Sequence, residues 1–506
     1  MQRDLTRLAD GVHDVVVVGG GIHGACIAWD AALRGLRVAL IERDDFGAAT
    51  SANSLRIVHG GLRYLARGDL ARMRESIRER STLLRIAPTL VEPLPVVVPT
   101  AGAGPRSRPA MAAALALTDL LSLDRNRDLA PDHQLPRGRL LSSAECLRLF
   151  PAFPAAHATG GALWYDARVR QPERLTLAFV RSAADRGAVV ANYCRMERLL
   201  HDGGAVRGVA ATDLLGGGPL EIRARAVVVA AGPWTPPLAE ADPRALPHAF
   251  ALNVEVDRRL AEAAIGVRAP TGAAADPIVG GHRFIFLVPQ GETTLLGTWY
   301  APSEGPDTPL ALLQGGTEAL LAEFRAACPG LELAGADVLA CQWGRLPLKA
   351  GREPGRATAL ADRPRVIDHG GAGGVRGMFS VEGVKYTTAR RVAEDVVNRV
   401  VVRLGIAAGR CGTAETPVDA RRDSGGRTLE AGVRRAIREE MAVRLSDVIL
   451  RRTSLSRPSA PTRGVVAGIA RIAAAELGWT PDRQEAEIDD VMRQLRPPGQ
   501  VPESGA

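Results

Sequence analysis

The stretch VVVVGGGIHG at residues 15–24 decides the fold of this 506-residue chain. Four valines in a row are typical of a parallel strand that is buried on both faces. Gly19, Gly21 and Gly24 follow the spacing G-x-G-x-x-G. In that pattern the first glycine permits a tight turn, the second lets a phosphate approach the backbone, and the third lets the helix pack closely on the strand.

A second strand and an acidic residue complete this pattern. The predicted helix begins near Ile22 and stops at Gly35, so its free N–H groups face a phosphate. The strand 38–41 then ends at Glu42, whose carboxylate can accept hydrogen bonds from a ribose hydroxyl and disfavours a 2′-phosphate. The pattern therefore predicts a bound dinucleotide. The alternative is a βαβ unit with a glycine turn and no ligand.

Length and cysteine content limit the class of protein. A chain of 506 residues predicts two or three domains. The six cysteines are scattered without a Cys-x-x-Cys pair, which argues against disulfides or a metal site and fits a reducing cytoplasm. The charged residues before Val15 do not resemble a signal peptide. No apolar run reaches the ~18 residues that a spanning helix needs.

The cations are almost all arginines. The net charge is +8, and only Lys349 and Lys385 are lysines. A GC-rich genome explains this bias, although basic patches could attract an anionic substrate or membrane surface. Nucleic acid is not an expected partner, because aromatic content is 4% and no helix-turn-helix or zinc pattern occurs.

Later segments add a strand and a hairpin. The apolar run 226–229 ends in Ala-Ala-Gly232, and that glycine indicates a close backbone approach in a dinucleotide fold. Alternation from Phe284, a turn at 289–292 and a return to Trp299 predict an antiparallel hairpin in a second sheet.

Glycines and prolines set the limits of the predicted helices. Gly315 and Gly316 interrupt the pattern, so a helix is predicted only over 317–327. The tail predicts three helices: 429–450, 463–477 and one that opens at Thr480-Pro481-Asp482.

Five longer segments carry a family resemblance. They are VVVGGGIHGACIAWDAALRG (16–35), IERDDFGAATSANSLRIVHGGLRYL (41–65), AAGPW (230–234), VKYTTARRVAED (384–395) and EAGVRRAIREEMAVRLSDVILRRT (430–453). Together they resemble the FAD-dependent glycerol-3-phosphate dehydrogenase family of the D-amino-acid-oxidase-like flavoproteins.

The resemblance implies an α/β fold and FAD as cofactor. It implies a doubly wound FAD-binding domain, an α+β substrate domain with a mixed or antiparallel sheet, and a C-terminal helical domain. We place the FAD-binding domain at 1–99, 160–240 and 340–404, the substrate domain at 100–159 and 241–339, and the helical cap at 425–497.

The resemblance also implies the reaction. The substrate sn-glycerol 3-phosphate is oxidised to dihydroxyacetone phosphate, a hydride goes to flavin N5, and the electrons pass to a quinone or another acceptor. We expect a cytoplasmic homo-oligomer that can attach peripherally to the inner face of the cell membrane. The basic helices at 429–452 could supply that surface, or they could simply pack the cap.

The candidate site residues follow from matching the motifs. Gly19, Gly21, Gly24 and Glu42 would hold the ADP half of the cofactor. His59, Lys385 and Arg345 are candidate catalytic residues, although His59 could instead be a packed histidine and Lys385 a surface lysine. Thr387 and Thr388 are expected to cap the next helix and to meet the pyrimidine end of the flavin with their backbone. The remaining residues expected at the cofactor are Thr50, Ser51, Ser54, Gly60, Gly61 and Gly232.

The substrate pocket departs from the family pattern. Asn253 stands near the usual histidine, and Trp299-Tyr300 replaces Thr-Asp at the end of the hairpin. Arg345 lies one place early, which in a strand means the opposite face. Arg363 or Arg365 could replace a second family arginine, and Arg63 could pair with an acid or face the flavin.

These departures leave other readings open. A paralogue could oxidise another small alcohol, hydroxy acid or amine, and a flavin protein with little turnover could act through partners. The base that takes the hydroxyl proton could be His59 or His282.

Overall fold

The computed structural model describes residues 1–154, 158–238, 246–270, 278, 283–303, 310–349, 359–418, 428–453, 455 and 461–495. This part of the chain forms two β-sheets and a C-terminal group of helices. The strands are β1 (His13–Val18), β2 (Val38–Ile41), β3 (Ile57–Val58), β4 (Val91–Pro99), β5 (Arg139–Leu141), β6 (Gly161–Val169), β7 (Val189–Ala191), β8 (Cys194–Asp202), β9 (Ala205–Asp213), β10 (Gly218–Val229), β11 (His248–Val256), β12 (Ala264–Arg268), β13 (Phe284–Gln290), β14 (Thr293–Ser303), β15 (Val338–Pro347), β16 (Arg365–Asp368) and β17 (Met378–Glu382).

Twelve α-helices connect or cover these strands in the described residues. They are α1 (Leu5–Ala9), α2 (Ile22–Leu33), α3 (Leu70–Ile86), α4 (Arg108–Leu121), α5 (Ser143–Leu149), α6 (Pro172–Asp185), α7 (Thr235–Leu238), α8 (Leu310–Ala327), α9 (Ala389–Leu404), α10 (Leu429–Glu440), α11 (Arg463–Leu477) and α12 (Pro481–Leu495).

The first sheet carries the glycine loop. Its order is β16-β17-β10-β1-β2-β7, with parallel pairing throughout except at the edge strand β16. Every residue of β1 is buried, because α2, α6 and α9 cover one face of the sheet and β8, β9 and α1 cover the other. The valine run is therefore the buried parallel strand that the sequence predicts, and the α/β fold class is confirmed.

The second sheet is mixed and lies over the loop ends of the first. Its order is β15-β11-β14-β13-β12-β4-β6-β3, with β5 added on β6, and among the described strands only β12 and β4 pair in parallel. The predicted hairpin is confirmed as β13–β14, which pair from Phe286 and Gly297 to Gln290 and Thr293.

The strands divide between the sheets differently from the predicted domain boundaries. Those boundaries group β4, β6 and most of β15 with the FAD-binding domain. In the structure β4 pairs with β6 along its whole length, and β15 pairs with β11, so all three belong to the second sheet. The division into domains itself stays a prediction.

Helix α8 is longer than predicted. It begins at Leu310 and passes through Gly315 and Gly316 without a break. A Cβ on Gly316 would lie 2.7 Å from the Trp299 ring, whereas a Cβ on Gly315 would meet nothing within 4 Å. Gly316 thus lets the helix approach β14, and the prediction of a helix break was wrong because it ignored this tertiary contact.

The C-terminal helices pack around a core of their own. This core combines α10, α11, α12 and a π-helical turn, Asp447–Arg452. The predicted helix over 429–450 was wrong, since α10 ends at Glu440 and Met441 adopts a left-handed conformation with φ 58°. The Asp447 carboxylate accepts the N–H groups of Val443 and Arg444, each at 2.9 Å, which favours a new turn over continuation.

Candidate functional site

A cleft of about 610 Å³ lies between the two sheets. The residues that follow β2, β1, β10 and β17 border it, including Glu42, Gly19, Gly232 and Lys385 in that order across the sheet. Since neighbouring strands lie about 4.8 Å apart, the four strand ends span about 14 Å. The cleft therefore has the position and the length for a ligand at the carboxyl ends of parallel strands.

Three glycines of the loop leave no space for a side chain. Gly19 has φ 106°, and a Cβ there would lie 2.7 Å from the carbonyl oxygen of Ala230. A Cβ on Gly24 would overlap the carbonyl oxygen of Gly19, and one on Gly20 would lie 2.6 Å from the Phe46 ring. The sequence reasoning missed Gly20, although the run of three glycines was its signal. Gly21 borders the cleft.

Glu42 closes the far end of the cleft. Its carboxylate accepts the N–H of Gly20 at 2.6 Å through Oε2 and the N–H of Asp44 at 2.9 Å through Oε1. Burial raises the pKa of Glu42, and the two backbone hydrogen bonds act against that rise. A carboxylate has about four acceptor positions, so Glu42 can still accept a hydroxyl from the cleft.

The hydroxyls of the 50–54 loop organise the cleft wall. Ser51 Oγ accepts the N–H of Ile22 at 2.9 Å, and Thr50 Oγ1 accepts the N–H of Arg345 at 3.1 Å. Ser54 Oγ accepts the N–H of Arg56 at 3.3 Å. All three hydroxyl residues border the cleft, and two of them fasten the loop to α2 and β15.

His59 borders the cleft while Gly60 does not. Burial lowers the pKa of His59 well below 6.5, with further lowering by the charges of Arg63 and Lys385. Its Nδ1 has no hydrogen-bond partner among the described residues. Gly60 donates its N–H to Asp166 at 2.6 Å, and a Cβ there would overlap the Arg80 guanidinium. The Arg80–Asp166 ion pair therefore explains why residue 60, the first glycine after His59, has no side chain.

Lys385 and Arg63 converge on the hydroxyl of Tyr64. Lys385 Nζ donates to this hydroxyl and lies 4.6 Å from the ring centroid, and Arg63 Nη2 donates to it at 3.2 Å. Burial lowers the pKa of Lys385. Burial also acts to raise the pKa of Tyr64, but the charges of Arg63 and Lys385 outweigh it and leave that pKa below its ordinary value. Tyr64 is buried, and the sequence analysis missed the role of its hydroxyl.

Arg345 borders the cleft despite its shifted place in the motif. Gly344, Arg345 and Leu346 all border the cleft, where Arg345 donates its N–H to Thr50. Arg345 pairs with the buried Phe250 of β11, so the expected change of face stays a prediction. Burial and the charge of Arg345 lower the pKa of His248 to about 4.

The other candidate substrate-binding residues differ in whether they border the cleft. Tyr300 borders the cleft. Asn253 also borders it, but its amide donates to the Asn53 carbonyl at 3.1 Å and accepts the Thr298 hydroxyl at 2.8 Å, so it holds the loop. The Arg363 side chain is 72% exposed, pairs with Asp69 at 3.6 Å and does not reach the cleft. His282 lies outside the described residues.

Thr387 borders the cleft, and Thr388 begins α9 without a side-chain capping hydrogen bond. Thr388 therefore occupies the N-cap position of α9, as expected, but its hydroxyl does not cap the helix. Its φ of −102° and ψ of 10° differ from the extended conformation that aims a capping hydroxyl at the first N–H groups.

Two family models match the chain. Residues 14–390 match the FAD dependent oxidoreductase family, and residues 369–484 match the C-terminal domain of alpha-glycerophosphate oxidase. The first match covers the two sheets and every candidate site residue. The second covers the C-terminal helices up to the start of α12.

Known proteins resemble the chain over most of its length. Glycerol-3-phosphate dehydrogenase 1 of Mycobacterium tuberculosis is 32% identical over 514 aligned positions, covering 99% of this chain and 94% of that protein. Glycerol-3-phosphate dehydrogenase of Synechocystis is 31% identical, covering 82% and 75%. The FAD complex of glycerol-3-phosphate dehydrogenase from Bacillus halodurans shares the fold at a TM-score of 0.72 and 22% identity, covering 98% and 97%.

Proposed function

Because the chain belongs to the FAD-dependent glycerol-3-phosphate dehydrogenase family, we propose that it oxidises sn-glycerol 3-phosphate at C2 to dihydroxyacetone phosphate. The observation that carries this proposal is that Arg63, Arg345 and Lys385 border one cleft. A phosphate dianion is held best by several charge-assisted hydrogen bonds, and guanidinium groups suit its geometry.

The residues of the glycine loop fit FAD. The backbone is too crowded at Gly19 and Gly24 for any side chain, so only glycine allows the tight loop that receives a pyrophosphate. Glu42 has acceptor capacity for the ribose. We assign Gly21, Thr50, Ser51, Ser54 and Gly232 to the pyrophosphate and ribityl chain, and His59, Gly61, Lys385 and Thr387 to the flavin end. Bound there, FAD would supply the oxidant, with its N5 atom as the acceptor of the hydride that leaves C2.

We assign the proton of the C2 hydroxyl to His59. His59 borders the cleft, and its lowered pKa leaves the ring neutral and able to accept a proton, although as a weaker base than an exposed histidine. Nδ1 is buried without a partner in the described part of the chain, so the nitrogen that would meet the substrate is Nε2. Lys385 then stabilises negative charge that develops on the substrate oxygen, while Arg63 and Arg345 hold the phosphate.

We propose that the electrons leave to a quinone at a membrane surface that α4 contacts. None of the helices in the described part of the chain combines the length and apolar character that crossing a membrane requires. On α4 and just beyond it, Leu120 is 63% exposed and Leu123 is 74% exposed, and Arg125 and Arg137 line the same groove. This combination suits the interface of an anionic membrane.

The helices 429–452 are less suited to a membrane. Arg435 and Arg452 are buried in the protein, and Arg451 forms buried ion pairs. In a sedimentation assay with anionic vesicles, Leu120→Glu should abolish binding, and Leu429→Glu should leave it unchanged. The opposite pattern would place the membrane contact on α10 instead of α4.

Anaerobic bleaching of the flavin absorbance tests the substrate. Glycerol 3-phosphate should bleach the flavin at submillimolar concentration, whereas glycerol should not, since glycerol has no phosphate for Arg63 and Arg345 to hold. A flavin that dithionite reduces but glycerol 3-phosphate does not would overturn the substrate. Bleaching by another small alcohol, hydroxy acid or amine would then show that the protein is a paralogue with that substrate.

A further inference from the structure

A buried ion-pair cluster joins the C-terminal helices to the loop that follows β2. We call Asp45, Asn192, Arg451 and Arg452 the Asp45 cluster. Asp45 Oδ2 accepts from Arg451 Nε at 2.6 Å and from Arg452 Nη1 at 2.7 Å. Asp45 Oδ1 accepts from Arg452 Nη2 at 2.7 Å and from Asn192 Nδ2 at 3.1 Å.

The cluster is almost completely shielded from water. The Asp45 side chain is 0% exposed and that of Arg452 is 1% exposed. Burial acts to raise the pKa of Asp45, but the charges of Arg452 and Arg451 outweigh it and lower the pKa to about 2. Removing one member of such a group leaves an uncompensated buried charge, so the partners are strongly tied to each other.

The same loop forms the far end of the cleft. Glu42, Asp44 and Asp45 all border the cleft. On its other side the loop is bonded to the corner between β7 and β8. There Cys194 donates its N–H to the Glu42 carbonyl at 2.7 Å, and Tyr193 donates its N–H to the Asp44 carbonyl at 3.0 Å. The loop is therefore held from two sides, by the first sheet and by the cap.

The cap side of the cluster is itself firmly built. Arg451 also donates to Asp447 at 2.6 Å, and the Tyr193 hydroxyl donates to the same carboxylate oxygen at 2.6 Å. Asn192 Nδ2 donates to the Met441 carbonyl at 3.0 Å, where α10 ends. A shift of the cap would therefore move Asp45 and its neighbours in the chain.

We propose that Arg451 and Arg452 are positioning residues for FAD, which hold the 42–45 loop in the shape that receives the ribose. The proposal rests on the family's cofactor and not on the identity of the substrate. The cap thereby contributes to cofactor affinity without touching the cofactor. By linkage, bound FAD should in turn strengthen the docking of the cap.

Titration of the apoprotein with FAD tests this proposal. Asp45→Asn and Arg452→Met should raise the dissociation constant of FAD at least tenfold. At saturating FAD the kcat/KM of Arg452→Met should stay within threefold of the parent, because the substrate end of the cleft is unchanged. Arg452→Lys keeps the charge but loses the paired hydrogen bonds, so its dissociation constant for FAD should lie between those of the parent and of Arg452→Met.

Arg181→Met is the matched control. Arg181 is buried in the same interface and donates to the cap carboxylate Glu440 at 2.9 Å, but it does not contact Asp45. The Arg181→Met substitution should lower the thermal midpoint and leave the affinity for FAD within twofold of the parent. Unchanged affinity in folded Asp45→Asn and Arg452→Lys proteins would overturn the proposal. An equal loss in Arg181→Met would also overturn it, since general loosening of the interface would then be the cause.

Discussion

Replacing Lys385 by methionine probes the substrate end of the cleft. The chain has only two lysines, and the other, Lys349, pairs with Asp362 at 3.1 Å and does not border the cleft. Lys349→Met is therefore a control with the same chemical change. Methionine keeps most of the apolar stem, so the substitution removes mainly the charge and the donor.

The expected loss follows from the contacts of Lys385. A charge-assisted hydrogen bond contributes about 1.5–3 kcal/mol. At about 1.4 kcal/mol per tenfold change, kcat/KM should fall by about 10- to 150-fold. The loss should not exceed that range, because Arg63 still donates to the Tyr64 hydroxyl at 3.2 Å and still borders the cleft.

The assay is reduction of an artificial acceptor by glycerol 3-phosphate, with flavin content measured in the same samples. Lys349→Met should match the parent protein. Amine-directed acetylation followed by mass spectrometry gives a second readout, in which glycerol 3-phosphate should protect Lys385 and leave Lys349 reactive. A Lys385→Met enzyme within threefold of the parent, at equal flavin content, would refute the role of this cation.

Three further predictions follow from the structure. Gly315→Ala should raise the thermal midpoint, since alanine gains about 1 kcal/mol in an open helix position, whereas Gly316→Ala should lower it through about 1–3 kcal/mol of overpacking; equal shifts would contradict the crowding described for α8. Arg345→Met should raise KM at least tenfold while Arg363→Met stays within twofold, and steady-state kinetics that show the reverse would move the phosphate site. The free energy of unfolding in urea should fall between pH 6.5 and pH 4 by up to about 3 kcal/mol from His23, because burial lowers its folded pKa to about 4 and the unfolded chain takes up the proton first; His23→Gln should flatten this slope.

The cofactor half of the cleft was predictable because its requirements are local. The turn at Gly19 and the tight contact at Gly24 arise within one strand–turn–helix unit, and Glu42 follows on the next strand. Backbone sterics in such a unit depend little on the rest of the chain. Spacing along the sequence was therefore sufficient to predict the unit, and the family comparisons confirm FAD as its cofactor.

The substrate half depends on contacts that spacing does not encode. Tyr64 and Lys385 are 321 positions apart, and no local pattern joins them. Arg345 meets the cleft wall through the bond of its N–H to Thr50, and Gly316 is required by a ring on another strand. The register of a motif could not reveal these neighbours, because they are set by how the second sheet lies on the first.

The order of strands in the first sheet also has a consequence for biosynthesis. Strand β17 lies beside β10 and supplies Lys385, yet it is made long after β1, which stands on the other side of β10. At 5 to 20 residues per second, tens of seconds separate the synthesis of these two strands. During that interval the glycine loop exists without the flavin end of its cleft. A nascent chain should therefore acquire its cofactor late, and the unpaired edge of β10 is a natural point for a chaperone to shield.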